Sequence, residues 1–416
     1  MPHPESCPAA VAEVQGFYGP FTFPELLLQK IWLRGDFDLT AARTTDGRAL
    51  TILHAGRWNR LGGPDFRGAR LRLGATEITG DVELHLYAED WVAHRHAADP
   101  AYREVVLHVV LFPPTAGTVT RGADGREIPV LALLPLLHHD LEEYAADDAV
   151  ERLANRPVAR AIEELSPLPA AELTALLRDE AEKRWRWKTH FARLRIARLG
   201  WAGACHHTAL EVLGYRFNRA AMLSVAARWP LAEWAAGRVE AETAFAAEAG
   251  RWSLQGVRPA NHPRLRLRQY AEWARAVPDW PERLAAQAAA WPEVAREAGE
   301  GTRAVRRAGK FATWRRCWAA ELTGGAVGGT RLDNLICDGW LPLLAAQRVR
   351  DGYGIWFHWP PGDLPPALVR ALRDLGVCGG RAQPAAQGWA QGLQGWWLAR
   401  EQAAGAPART PSGRGA

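Results

Sequence analysis

The sequence predicts an α/β N-terminal domain, a mixed sheet with flanking helices, followed by an all-α C-terminal region. Three observations carry this. Before about residue 145 the apolar residues fall in short runs, rich in aliphatic side chains and bounded by Gly, Pro or Asp. After it, Ala, Leu, Glu and Arg recur at helical spacing. One run, VVLHVVLF at 105–112, is apolar throughout except for His108, as expected of a strand covered on both faces. A chain of 416 residues that is 48% hydrophobic can bury two or three cores. The expected division is an α/β domain over 1–145, a helical region over 146–402 and a disordered tail over 403–416, where small, polar, Pro and Gly residues prevail.

The elements follow in order. TFPELLLQKIWLRGDF reads as a helix with Thr22 as N-cap, Pro24 in the first turn and Gly35 ending it. ALTILHAG, FRGARLRL, DVELHLYA, REVVLHVVLF and IPVLALL read as strands. Beyond them, 168–200 and HHTALEVLGYRFNRAAMLSVAARW read as helices, with QGVRPANHPRLR and TGGAVGGTRLDN as connections. No repeat of regular period is present.

Composition excludes several classes. The net charge of +5 is carried by arginine, with lysine only at 30, 183, 188 and 310, and a mild positive field suits a polyanionic partner. Among 20 tryptophans, those of KRWRWK and TWRRCW read first as anchors of amphipathic helices and second as base-stacking groups. Five scattered cysteines form no C-x-x-C pair, which argues against a zinc knuckle or disulfide scaffold and for a reducing compartment. With no signal-like N-terminus and no apolar window of about 18 residues, a cytoplasmic protein without a membrane partner is expected.

The stretch GGPDFRGARLRLGATEITGDVELH, 62–85, carries the chemistry. With Gly74, Ala75 and Thr76 as a three-residue loop, Asp65 falls opposite His85 and Arg67 opposite Glu83, all on one face. Gly68 is a place for a bulge that would alter this count. On the second strand Val82, Leu84 and Leu86 alternate with Asp81, Glu83, His85 and Tyr87, so one face is aliphatic and the other ionisable. An Asp and a Glu across a hairpin suit a hard divalent cation, Mg²⁺ or Mn²⁺, beside a group that orients water.

That pattern, Pro-Asp followed by Glu-x-His, resembles the PD-(D/E)XK nuclease superfamily, which implies a restriction-endonuclease-like core of helix, three strands, helix and strand. By the same resemblance Asp65 and Glu83 are metal ligands and catalytic acids, His85 stands where lysine is usual, and Glu25 matches an acid of the preceding helix. Histidine there favours softer ions such as Mn²⁺, Fe²⁺ or Zn²⁺. More widely, GGPDFRGA, GDVELHLYAEDWVAHRH, DPAYREVVLHVV and RPANHPRLRLRQYA resemble a bacterial family catalogued as domain of unknown function 2851.

A second cluster, EDWVAHRHAADPAYREVVLH, gathers Glu89, Asp90, His94, His96, Asp99 and His108. An H-x-H pair with a later His also resembles the cupin barrel, with Glu104 later than that pattern expects. Basic runs lie at 178–198 and 303–316, the latter with no acid, and Arg306, Arg307, Lys310, Arg315 and Arg316 are candidate nucleic-acid contacts. The expected function is a metal-dependent phosphodiesterase acting on DNA or RNA. The alternatives are a non-cleaving nucleic-acid-binding scaffold and a His-coordinated metalloenzyme of cupin type. Strandedness, pathway and oligomeric state are not encoded in these patterns.

Overall fold

The structure, a computed structural model, describes residues 11–405 apart from 17–18, 61, 116, 155–158, 255–256, 258, 297–300, 380 and 382. The tail expected over 403–416 lies mostly outside them. Strands β1 (Val11–Gly16) and β2 (Gly19–Pro24) form an antiparallel ribbon that leads into helix α1 (Glu25–Arg34). Thr22 pairs with Glu13 inside that ribbon, so the helix start falls to Pro24, whose fixed φ suits the position. Gly35, at φ 59°, ends the helix in the left-handed conformation expected of it.

Next come β3 (Leu50–His54), β4 (Arg57–Trp58), β5 (Phe66–Leu73) and β6 (Thr76–His85). A crossover holds a helical turn α2 (Asp90–Ala93) and 3₁₀ turns at His96–Ala98 and Pro100–Tyr102, and returns to β7 (Val105–Val110). Strands β8 (Thr120–Arg121) and β9 (Glu127–Ile128) pair as a small ribbon before β10 (Val130–Ala132). The main sheet runs β10-β7-β6-β5-β3, with β4 on the free flank of β5. It is mixed: β3-β5-β6 is antiparallel, whereas β6-β7 and β7-β10 are parallel. Parallel pairs are foreign to an antiparallel jelly roll, so the cupin expectation fails as a fold.

The β5-β6 register differs from expectation twice. Leu73 pairs with Thr76, so the loop is the two-residue Gly74-Ala75 turn. Then β5 spends three steps between Ala69 and Phe66 while β6 spends two between Gly80 and Val82, and the extra residue is Gly68 at φ 65°. Phe66 opposes Val82 on the apolar face, which brings Asp65 opposite Glu83 instead of His85.

Leu28, Ile31 and Trp32 of α1 pack on Val82, Leu84 and Leu107 from the sheet. The same apolar cluster continues into the helical region through Leu177, Leu372 and Leu393. Its longest element, α5 (Ala170–Arg228) after α3 (Leu141–Ala154) and α4 (Ala159–Leu165), is broken by non-helical backbone at Gly200, Tyr215 and Asn218. A second cluster is built on Trp234, Trp273, Trp280, Trp318, Trp340 and Trp356. Tryptophan therefore works mainly inside the cores, as its first reading held. Among the described residues no helix is long and apolar enough to cross a membrane.

Candidate metal centre

The sheet side away from α1 carries Glu83 and His85, and both are nevertheless buried, because the crossover folds over them. Asp65 and Glu83 interlock. The Asp65 backbone N–H donates to Glu83 Oε2 at 3.0 Å, and the Leu84 N–H donates to Asp65 Oδ2 at 3.1 Å. Gln29, one turn beyond Glu25 on α1, donates to Asp65 Oδ1 at 2.6 Å and accepts from Trp58 Nε1 at 3.0 Å. Glu25 Oε1 is buried without a hydrogen-bond partner.

The remaining Glu83 oxygen, Oε1, faces histidine. It lies 3.4 Å from His96 Nε2 and 3.6 Å from His85 Nε2. His85 Nε2 in turn stands 3.1 Å from both His94 Nδ1 and His96 Nε2. The H-x-H spacing of His94 and His96 suits two ligands from one extended segment, but the pair reaches this point through a turn. His94 ends α2, Arg95 turns back in the left-handed region at φ 57°, and His96 opens the next turn. Trp91 and Tyr102 hold the His96 ring, Tyr102 stacking on it at 3.8 Å between centroids.

Behind His85 a relay fixes its orientation. His85 Nδ1 lies 2.9 Å from His108 Nε2, and His108 Nδ1 lies 2.9 Å from Thr120 Oγ1. Such outer partners set the tautomer and direction of a ligating imidazole. His108 is wholly buried on β7, where it pairs with Glu83.

Three imidazole nitrogens, of His85, His94 and His96, thus converge within 4.8 Å of one another, and one carboxylate oxygen, Glu83 Oε1, approaches two of them. Ligands at about 2.0–2.1 Å from a tetrahedral ion stand about 3.3–3.4 Å apart, close to the separations seen here. Neutral imidazoles carry one N–H each, so the three rings meeting at 3.1 Å can at best share a single N–H, whereas a cation at this point would accept a lone pair from each. Burial, then the neighbouring rings, push His85 down to about 2, and burial pushes His108 down to about 3 and His96 to about 4. The rings are therefore neutral, the ligating form. Burial and then mutual repulsion raise the acids, Glu25 to about 7 and Glu83 well above the carboxylate range, and burial alone takes Asp65 to about 7. A bound cation would reverse that shift.

Asp65 and Glu83 are thus hydrogen-bonded to each other's strand and His85 lies beside Glu83, while Glu25 is near enough to feel Asp65 and Glu83 electrostatically. His94, His96 and His108, noticed in the sequence without a role, join them, whereas Gln29, Trp58, Tyr102 and Thr120 carried no signal beyond Gln29 lying four residues after Glu25. The 303–316 run divides. Arg306 donates to the carbonyls of His358 and Ala385, and Arg315 pairs with Asp333. Arg307, Lys310 and Arg316 are exposed.

A second acid-histidine group, His139, Glu143 and Glu211, is already filled by guanidinium: Arg195 bonds Glu211 at 2.7 Å and Arg219 bonds the same carboxylate. It lies at a cleft of about 270 Å³ between α5 and the later helices, whose cations Lys188 and Arg331 are paired with Asp338 and Asp363.

A family model described as "Protein of unknown function (DUF2851)" matches residues 25–247. No curated protein and no solved structure matches the chain.

Proposed function

This chain belongs to the DUF2851 family, and from its own residues we propose a metal-dependent phosphodiesterase acting on DNA or RNA. The observation that carries the reading is the interlocked pair Asp65 and Glu83, whose remaining oxygen approaches His85 and His96, two of three convergent histidines. In support of a PD-(D/E)XK-like reading, a helix precedes antiparallel strands, and a crossover of short helical turns leads to a parallel strand, although that crossover holds no full helix. Asp65 just before β5, Glu83 near the end of β6 and Glu25 in the preceding helix are the acids this reading uses.

The roles follow from the donors. Glu83, His85, His94 and His96 would hold the ion, and a donor set of three nitrogens and one oxygen favours Zn²⁺, Mn²⁺ or Fe²⁺ over Mg²⁺. A cation there supplies an acidified water and charge neutralisation for a phosphoryl oxygen. Asp65 positions Glu83 through its backbone and is itself held by Gln29. Glu25, unpartnered and brought to about 7, is matched to accepting a proton at neutral pH. In this reading His85 is a ligand instead of the lysine-like orienting group.

The test is cleavage of labelled single- and double-stranded DNA and RNA with Mg²⁺, Mn²⁺, Zn²⁺ or chelator. Metal-dependent cleavage is expected, with Asp65→Ala and Glu83→Ala lowering it at least about 100-fold while the melting curve stays cooperative. No cleavage with any ion, together with retained salt-sensitive binding, would favour the scaffold alternative.

A further inference from the structure

We infer that the exposed face of β5 and its neighbours is a phosphate-binding track that leads a nucleic-acid strand to the metal centre. For the reaction at its end this rests on the phosphodiesterase reading; for binding it stands alone. On β5, Phe66, Ala69, Leu71 and Leu73 are buried, while Arg67, Arg70 and Arg72 are exposed on the opposite face. The pairing extends that face sideways. Arg57 of β4 opposes Arg67, and His54 of β3 opposes Arg70.

Side chains on paired residues share a face, and Phe66 pairs with Val82 on the apolar side. The arginines therefore share their side of the sheet with Glu83 and His85. Charge on this face is lopsided. Arg72 pairs with Glu77 at 2.5 Å, and Asp81 accepts from the Gly68 N–H. Among the described residues Arg57, Arg67 and Arg70 form no ion pair; Arg70 feels Glu77 only at a distance, the same acid that Arg72 already binds, and Arg67 donates to the Gly62 carbonyl.

Like charges directly opposite each other across a ladder are unfavourable, so an anion bound between Arg57 and Arg67 would offset their repulsion. Successive residues on one face of a strand stand about 6.8 Å apart. Arg67 and Arg70, separated by the bulge and one core residue, thus present guanidiniums in a row, which suits a linear chain of phosphates better than one compact anion. The row starts two residues after Asp65, so a bound strand enters the centre from this side.

Fluorescence anisotropy on the full chain in EDTA, with a labelled single-stranded oligonucleotide over a salt series, tests this without turnover. Arg57→Gln/Arg67→Gln/Arg70→Gln should weaken binding at least about tenfold and reduce the log–log salt slope by about 2, near 0.7 per lost phosphate contact. Arg238→Gln/Arg283→Gln, exposed arginines paired with Glu233 and Asp279 in the helical region, should leave both unchanged. An unaltered affinity and slope in the triple variant, or no binding by the wild type, would overturn the track. The single Arg70→Gln variant, which should move affinity and slope in the same direction by about a third, decides the matter if the triple variant melts early. Wild type that binds through these arginines yet cleaves nothing would sink the phosphodiesterase and keep the track. Cleavage unaffected by the triple variant would do the reverse.

Discussion

His108 would touch no ion, yet His85 depends on it for direction. Removing such an outer partner typically weakens metal binding about 10–100-fold. His108→Ala should therefore lower Zn²⁺ affinity by that factor in competition with a chromogenic chelator, and Thr120→Val should do so less. An unchanged affinity would mean that His85 is held by packing alone. The sequence made this group visible as a density of histidines between residues 54 and 108, but not as a convergence. Reading His94-Arg95-His96 as extended was reasonable from spacing. What decides otherwise is the left-handed turn at Arg95, a conformation with no residue signature when the occupant is arginine. Glycine at that position relieves the strain, so Arg95→Gly is expected to keep the metal.

At the scale of elements, strands were legible because their faces alternate, and β7 because His108 alone interrupts its apolar run. Register was not. Alternation fixes which face a residue takes but not how many residues make the turn; the two-residue turn together with the Gly68 bulge keeps Asp65 on the face a three-residue loop would give it but moves its cross-strand partner from His85 to Glu83. Deleting Gly68 would turn Asp65 to the apolar face and abolish metal-dependent cleavage without removing a single acid.

The junction of α3 and α5 makes a second prediction. Burial alone would raise Glu143, but His139 and Arg195 hold it down to about 2, and its stabilisation is present above its unfolded value of about 4.3 and lost as pH falls toward 2. Burial would lower His139, but Glu143 and Glu211 raise it above its ordinary value, so its share is full below about 6.5 and fades as pH rises past its folded pKa. Melting temperature should therefore drop between about pH 5 and 2, and Glu143→Gln should flatten that drop. Glu211→Ala, which leaves Arg195 to Glu143 and Arg219 to Asp147, should destabilise the fold by about 1–3 kcal/mol by urea titration.

Over the whole molecule, the expected halves prove continuous: Leu177 of α5 and Leu393 of the helix Gln387–Gly405 lie in the same cluster as Val82 and Leu84 beneath the metal centre. Composition shift at residue 145 marked where strands give way to helices, and nothing in a linear pattern says that the helices then return to cover the sheet. Leu393→Ala should cost about 2–5 kcal/mol and lower the melting of sheet and helices together, seen as coincident far-ultraviolet and tryptophan transitions. Separate transitions would show that the two parts unfold independently. That shared cluster also sets a timetable for biogenesis. While the ribosome is still translating the middle of the gene, the greasy underside of the emerged strands has no lid, and the nascent chain is exposed to chaperones and to self-association until the last helix arrives.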